Sequence, residues 1–299
     1  MWSGRILFLL YCFPFALTEE HNHVHTFLRG LIPENEVQGI VGGSTANIAN
    51  SPWFVRFGNS QCGGSLISED RVLTAAHCVT CEAGGPPSTV RVMASTETDG
   101  ITVNVQGALT HPNYDASKSL NDLAILKLAS PVTGVSFVTL NSNPTYPSTK
   151  AQQLTVVGMG ATITDGDQNN VLKTLQTEFV GDFSCGLQWG FFTSENEHLC
   201  TEIAGGGACS GDSGGPLFDS SGVQVGVASF VASKCASNKP DVFTQVSTYY
   251  SWIQGQLTDN SLDNLECPTR GCCQLAYLYI RSKIRSGMAS LFSALLGAE

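Results

Sequence analysis

Basic residues are scarce in this sequence. Its 299 residues include 15 lysines and arginines against 25 aspartates and glutamates, which gives a formal net charge of -10. A protein that binds nucleic acid through the phosphate backbone needs a basic surface that displaces counterions. The charge balance therefore argues against nucleic acid as a partner and favours a soluble acidic protein.

Apolar segments long enough to cross a membrane are also missing. Near the N-terminus, residues 6–17 are apolar and follow Arg5, but the segment is too short to span a bilayer comfortably. Small residues lie near its end, around Ala16 and Thr18, and Glu19 and Glu20 follow. This arrangement is typical of a cleaved secretory signal, which we place at residues 1–18.

The end of the chain, residues 258–299, is predicted to be a C-terminal extension. Arg281, Lys283 and Arg285 interrupt its residues 275–296, so this segment also falls short of a membrane span. A basic amphipathic helix lying on a membrane surface is one interpretation. A loosely attached extension is the simpler one, and we prefer it.

Cysteine is abundant by contrast, with eleven in the chain. Removal of the predicted signal also removes Cys12 and leaves an even number. So many thiols stay paired only in an oxidising compartment, and the mature protein is therefore expected to be secreted.

Short apolar segments separated by turn residues fill the region 40–257. Because no helical periodicity intervenes, the pattern is typical of antiparallel barrels or sandwiches. The predicted strands cover residues 53–57, 72–75, 90–93, 101–109, 123–128, 154–158, 172–180, 223–231 and 242–246.

One helix is predicted to close this region. Tyr249, Trp252 and Ile253 recur at helical spacing on one face. Ser247 or Thr248 can cap its N-terminus.

The polar residues 19–39 precede the strand-rich region and show no periodicity. His21, His23 and His25 alternate there and could bind a metal. A solvated pro-segment explains them more simply, so we predict no metal site.

Three motifs carry candidate chemistry. His77 lies beside a cysteine in LTAAHC, Asp122 begins the apolar segment NDLAIL, and Ser213 lies in the glycine-rich GDSGGP. Each alone fits a packed histidine, a strand-start carboxylate or a turn hydroxyl. Together they fit nucleophilic catalysis, because a serine hydroxyl needs an adjacent base and the base needs a group that fixes its tautomer.

With the segment IVGG that begins at Ile40, these motifs resemble the chymotrypsin-like serine protease family. They follow that family's order of His, Asp and Ser along the chain. The resemblance covers residues 40–257. It implies an all-β fold of two packed six-stranded antiparallel β-barrels with a C-terminal helix, and an active site in the cleft between the barrels.

The resemblance also implies a role for each motif residue. Ser213 attacks the peptide carbonyl, His77 takes and returns the proton, and Asp122 orients His77. The backbone amides of Gly211 and Ser213 form the oxyanion hole. No cofactor is expected. Protein or peptide substrates are the expected partners, together with protein protease inhibitors as a further candidate.

In this family a zymogen is cut before the IVGG motif. The freed ammonium of Ile40 is then expected to pair with Asp212. This chain departs from the family at Gly39, where most relatives carry Arg or Lys. Either a protease that favours small residues makes this cut, or the protein processes itself.

Six of the cysteines match the family's disulfide plan. Cys81, Cys267, Cys272 and Cys273 remain without an implied partner, and a bond between Cys81 and the extension is one interpretation. The implied pairs are Cys62 with Cys78, Cys185 with Cys200, and Cys209 with Cys235.

The resemblance places Gly207 at the floor of the primary specificity pocket, where trypsin-like relatives have aspartate. Ala208 and Val231 are expected in its wall. Val231 replaces a glycine found in chymotrypsin and trypsin, and its branched side chain narrows the entrance as in elastases. Cleavage after small or medium aliphatic residues is therefore expected.

Ser229 and Phe230 are expected, with Val231, to form the strand that binds substrate backbone. Asp241 occupies the other flank of the pocket and leaves two interpretations open. It is either an anchor for basic substrate residues or a hydrogen-bonded carboxylate behind Val231, and we favour the second.

A catalytically silent binding protein with the same fold is the remaining alternative. The uncommon junction at Gly39 supports it, because an uncut chain would stay inactive. The retained His77, Asp122 and Ser213 argue against it.

Overall fold

The computed structural model of the chain describes residues 40–58, 62–80, 83–166, 170–194 and 196–259. The predicted signal, the pro-segment and nearly all of the C-terminal extension lie outside these ranges, as do Cys81, Cys267, Cys272 and Cys273.

The described residues form short strands, two α-helices and two one-turn 3₁₀ helices, at Ile48–Asn50 and Ala76–Cys78. The strands are β1 (Ser44–Thr45), β2 (Phe54–Phe57), β3 (Gly63–Ser68), β4 (Arg71–Thr74), β5 (Thr89–Val92), β6 (Ile101–Thr110), β7 (Ala124–Leu128), β8 (Thr139–Leu140), β9 (Gln153–Gly158), β10 (Lys173–Phe179), β11 (His198–Glu202), β12 (Pro216–Phe218), β13 (Val223–Phe230) and β14 (Asp241–Gln245), and the helices are α1 (Asp182–Gln188) and α2 (Val246–Thr258).

The first barrel closes in the order β2-β3-β4-β7-β6-β5, with antiparallel pairing throughout. Its interior is apolar. Val55, Leu66, Val72 and Leu126 share one face of the sheet and are fully buried there. Burial of each such side chain contributes about 1.5–3 kcal/mol, so this interior provides much of the stabilisation of the barrel.

The second barrel follows the order β9-β10-β11-β14-β13-β12 and closes where β12 pairs with β9. All six pairings are antiparallel. Strand β1 adds to β10, and β8 adds in parallel to β13. The predicted fold of two six-stranded antiparallel barrels is therefore confirmed.

The two barrels share apolar contacts. Phe54 of the first barrel packs with Val157, Met159 and Leu172 of the second. The rings of Trp53 and Phe218 meet edge to face, with centroids 5.3 Å apart. These contacts hold the two barrels against each other.

Helix α2 leaves the second barrel after β14 and packs on the core of the first through Tyr249 and Ile253. The predicted C-terminal helix is confirmed, but its predicted cap is wrong. The helix begins at Val246 with Gln245 as the N-cap residue, and no side chain caps it. Ser247 and Thr248 therefore lie within the first turn.

Candidate active site

Strand pairing brings His77 and Asp122 together. His77 follows β4 in a one-turn helix, and Asp122 precedes β7, while Thr74 of β4 pairs with Ala124 of β7. His77 Nδ1 lies 2.8 Å from Asp122 Oδ2, and the backbone N–H of His77 donates to Oδ1 over 2.9 Å. Because Nδ1 donates, Nε2 is left as the ring nitrogen that can accept a proton.

Two further side chains hold Asp122, whose own side chain is almost completely buried. Ser229 Oγ donates to Asp122 Oδ2 over 2.5 Å. Thr244 Oγ1 donates to the Asp122 carbonyl oxygen over 3.1 Å. Both donors belong to the second barrel, so Asp122, which precedes a strand of the first barrel, is held at its carboxylate and its backbone by the other barrel.

Ser213 lies in the turn that precedes β12. Its carbonyl oxygen accepts the N–H of Gly63 over 2.8 Å. The neighbouring Cys62 forms a disulfide with Cys78, which directly follows His77. Ser213 also lines the same pocket as Ser229, the donor to Asp122. The segments that carry the three predicted catalytic residues therefore converge.

Gly214 allows this close approach. Its φ of +74° lies in the left-handed region, and a Cβ there would meet Thr74 Oγ1 at 2.3 Å and the Gly63 carbonyl oxygen at 2.6 Å. Any side chain at this position would push the Ser213 turn away from the strand that leads to His77. Gly211, on the other side of the serine, has a φ of +102° and so also favours glycine.

Asp212 is buried beneath the serine turn. Its Oδ1 accepts the N–H of Gly160 over 2.8 Å, and its Oδ2 accepts the N–H of Cys209 over 2.9 Å. Burial raises the pKa of Asp212 to about 7, although both hydrogen bonds favour the ionised form. A buried carboxylate of this kind can accept a cationic partner.

Ile40 is fully buried in the core of the second barrel, where it packs with Leu154 and Phe179. The next residue, Val41, pairs with Gly207, whose N–H donates to the Val41 carbonyl over 3.1 Å. The IVGG segment therefore lies against the predicted floor of the specificity pocket.

A pocket of about 130 Å³ opens beside Ser213. Besides Asp212, it is lined by predicted specificity residues: Ala208, Ser229, Phe230, Val231 and Asp241. Gly207 borders it, because a Cβ there would lie 2.7 Å from Asp241 Oδ2.

Asp241 turns its carboxylate toward the pocket floor. Its Oδ2 accepts the N–H of Ala208 over 2.6 Å, and its side chain is buried. Burial, together with the charge of Asp212, raises the pKa of Asp241 to about 7. The group therefore changes charge close to neutral pH.

The described cysteines form three disulfides, and these join the pairs that the resemblance implies. One braces the segment beside His77, and the third joins the wall of the pocket to the serine turn. The pairs are Cys62–Cys78, Cys185–Cys200 and Cys209–Cys235.

A family model described as Trypsin matches residues 40–253. The chain belongs to the trypsin family. Trypsin alpha of Drosophila melanogaster is 32% identical over 238 residues, which cover 76% of this chain and 91% of that protein. Trypsin delta of the same fly is 31% identical, covering 76% and 92%. Trypsin alpha-4 of Lucilia cuprina is 29% identical, covering 75% and 89%.

Membership of the trypsin family makes the protein a serine endopeptidase that acts on proteins or peptides. The motifs predict which residues react, but they carry no signal for the residues that contact them. Thr244 and Gly160 contact Asp122 and Asp212 from 122 and 52 residues away. Ser229, expected only on the substrate strand, also donates to Asp122.

Proposed function

We propose that the protein is a secreted serine endopeptidase that cleaves after small or medium aliphatic residues by an acyl-enzyme mechanism. The main support is the 2.8 Å contact of His77 with the buried Asp122, next to the segment that carries Ser213. Hydrolysis of a peptide amide that a serine-directed phosphonate abolishes would test this proposal.

In the proposed mechanism, Ser213 Oγ attacks the peptide carbonyl while Nε2 of His77 takes its proton. Asp122 holds Nδ1–H and stabilises the imidazolium that forms. His77 then passes the proton to the leaving amine, and a water molecule releases the acyl group by the same route. The backbone amides of Gly211 and Ser213 stabilise the oxyanion, where loss of one donor typically costs about 3–4 kcal/mol.

The shape of the pocket supports the proposed aliphatic preference. Its 130 Å³ is slightly less than the roughly 150 Å³ of an apolar cavity that holds benzene. Val231 lies in its wall, and the Asp241 carboxylate is engaged by Ala208 at its floor. We infer that a branched aliphatic side chain fits beside Val231 and that a larger aromatic ring would be crowded by it.

Removing the Val231 side chain from the pocket wall should therefore broaden the range of residues accepted before the cleaved bond. In Val231→Gly, we expect kcat/KM for a substrate that ends in Phe to rise about 10–100-fold relative to one that ends in Val, because the removed side chain leaves room for a ring. A peptide panel that differs only in Ala, Val, Phe or Arg before the cut measures the ratio. Ala232→Gly, next in the chain, is the control. An unchanged ratio would show that Val231 does not limit the pocket.

Cleavage after basic residues is the alternative, and the names of the trypsin relatives favour it. Asp241 would supply the carboxylate that Gly207 lacks. The buried position of Asp241 argues against a strong anchor, because near pH 7 its raised pKa leaves the carboxyl partly neutral. A substrate cation would then be buried without a full counter-charge.

The pH dependence of the preference tests Asp241 directly. Below its pKa of about 7 the carboxyl is neutral, and above it is ionised. The ratio of kcat/KM for an Arg substrate to that for a Val substrate should rise about 10-fold from pH 6 to pH 8, as the ionised fraction does. Any pH effect on the chemical step that both substrates share cancels in the ratio. In Asp241→Asn the ratio should be flat, and a slope that survives would exclude Asp241 as its origin.

We also propose the processing of the chain from its sequence. A signal at residues 1–18 directs secretion, and residues 19–39 form a pro-segment removed by a cut before Ile40. Residues 258–299 are a C-terminal extension. Within the described ranges, no helix combines the length and apolar character needed to cross a bilayer. Protein inhibitors that present an aliphatic residue on a rigid loop would bind the same pocket.

A further inference from the structure

The segment that leads into Asp122 has a strained backbone. Ser119 and Asn121 both have a φ of +53°, in the left-handed region that residues with a side chain rarely adopt. Two such residues lie within the four residues that end at Asp122. Conformations of this kind persist only where surrounding contacts hold them.

Two consecutive side chains of the second barrel make such contacts. His198 Nε2 lies 2.9 Å from the Ser119 carbonyl oxygen. Glu197 Oε2 accepts the N–H of Asn121 over 3.1 Å. Each contact therefore falls on one of the two left-handed residues, and Leu120 between them receives neither contact.

The hydrogen bonds of His198 fix its tautomer. Its Nδ1 accepts the N–H of Ser194 over 3.0 Å, so the proton lies on Nε2, which donates to Ser119. Burial lowers the pKa of His198, against the opposing charges of Glu197 and Asp122. The ring is also held edge to face against Phe230, with centroids 5.6 Å apart. The neutral imidazole is therefore a fixed donor.

The residues around Glu197 and His198 are anchored in turn. The carbonyl oxygen of Glu197 accepts the N–H of Gln245 over 2.8 Å, and Thr248 donates to the carbonyl of Asn196. His198 pairs with Thr244 in the sheet, and Thr244 itself donates to the Asp122 carbonyl. The contacts to residues 119–122 thus come from a rigid part of the second barrel.

We propose that Glu197 and His198 form a clamp that positions residues 119–122 and, through them, the carboxylate of Asp122 against His77. Both are positioning residues, because neither touches the substrate or the reacting atoms. The proposal rests on the proposed role of Asp122 in catalysis. In this proposal the clamp holds the strained segment in the geometry that directs the Asp122 carboxylate toward His77 Nδ1.

Removal of each contact should lower turnover without weakening substrate binding. We expect His198→Phe, which keeps a ring beside Phe230, and Glu197→Met to lower kcat about 10–100-fold while KM stays within 2-fold, since small displacements of catalytic groups are costly. His198→Gln retains a donor, and Glu197→Gln retains an acceptor. These conservative variants should recover most of the lost kcat.

A second substitution separates positioning from general destabilisation. In Ser119→Gly the left-handed conformation is no longer strained, so the clamp is needed less. Adding Ser119→Gly to His198→Phe should restore kcat at least 3-fold, whereas Ser221→Gly, an exposed control, should not. The low-field NMR resonance of His77 Nδ1–H should broaden or shift in His198→Phe and return in the double variant.

The outcomes distinguish this proposal from the proposed function. Native kcat and an unchanged Nδ1–H resonance in both His198→Phe and Glu197→Met would overturn the clamp. A loss of kcat that Ser119→Gly does not relieve, accompanied only by a lower melting temperature, would also overturn it. Wild-type hydrolysis that does not depend on Ser213 would instead refute the proposed function, and the resonance would still report on the clamp.

Discussion

Replacing Ser213 by alanine should lower kcat/KM for a peptide amide by about 10⁴–10⁶-fold. The hydroxyl is the proposed nucleophile, and without it His77 and Asp122 have no proton to move. In enzymes with this triad, loss of the serine alone removes almost as much catalysis as loss of all three residues. The remaining rate then comes from substrate binding and the oxyanion donors.

Ser210→Ala provides a matched control for this substitution. Ser210 lines the same pocket three residues earlier, but the proposed mechanism gives it no part. A radiolabelled phosphonate should modify the wild type and Ser210→Ala in a one-to-one ratio, and it should leave Ser213→Ala unlabelled. More than 1% residual activity in Ser213→Ala, or a label on another residue, would contradict the assignment of the nucleophile.

Local patterns predicted the long strands well. Each of the nine predicted strands coincides with an observed strand to within one residue at each end. These strands alternate apolar and polar residues or lie buried on both faces, and both patterns are visible in a short window. The positions of these strands can therefore be predicted from neighbouring residues in the sequence alone.

Two of the strands that were not predicted, β3 and β12, lack that local information. Strand β3 begins with Gly63 and Gly64, and β12 is only three residues long, directly after the glycine-rich serine turn. Glycine has low strand propensity, so only the partner strands and the barrel closure explain these elements. At Gly64 an added Cβ would meet the Leu73 carbonyl at 2.8 Å, which shows that close packing selected the glycine.

The candidate site also combines residues that the local sequence predicts with contacts that it does not predict. The predicted catalytic residues His77, Asp122 and Ser213 can be found from the sequence because each lies in a recognisable motif. Their supporting contacts are not, because Ser229 reaches Asp122 across 107 positions and no motif surrounds it. The side-chain cap predicted for α2 is absent for a related reason. The first helical residue, Val246, is buried in the core, and tertiary packing contributes more to helix stability than local signals do.

A cut before Ile40 should raise activity about 10²–10⁴-fold, and Asp212→Asn should abolish most of that gain. In the full-length chain the nitrogen of Ile40 is a neutral amide, and the cut converts it to an ammonium that is proposed to pair with the buried Asp212. Loss of one partner of a buried pair typically costs about 3–5 kcal/mol, which corresponds to this factor. With asparagine the new ammonium has no counter-charge beneath the serine turn.

A precursor with a recognition sequence for an added protease in place of residues 34–39 allows the cut to be timed. Activity is measured before and after cutting, with N-terminal sequencing to verify that the chain begins at Ile40. Asp165→Asn, an exposed carboxylate, is the control and should activate normally. Equal activity before and after the cut, or full activation of Asp212→Asn, would refute the proposed switch. For the native junction, maturation of a purified Ser213→Ala precursor on its own would exclude self-cleavage after Gly39, because that variant lacks the nucleophile needed to cut itself.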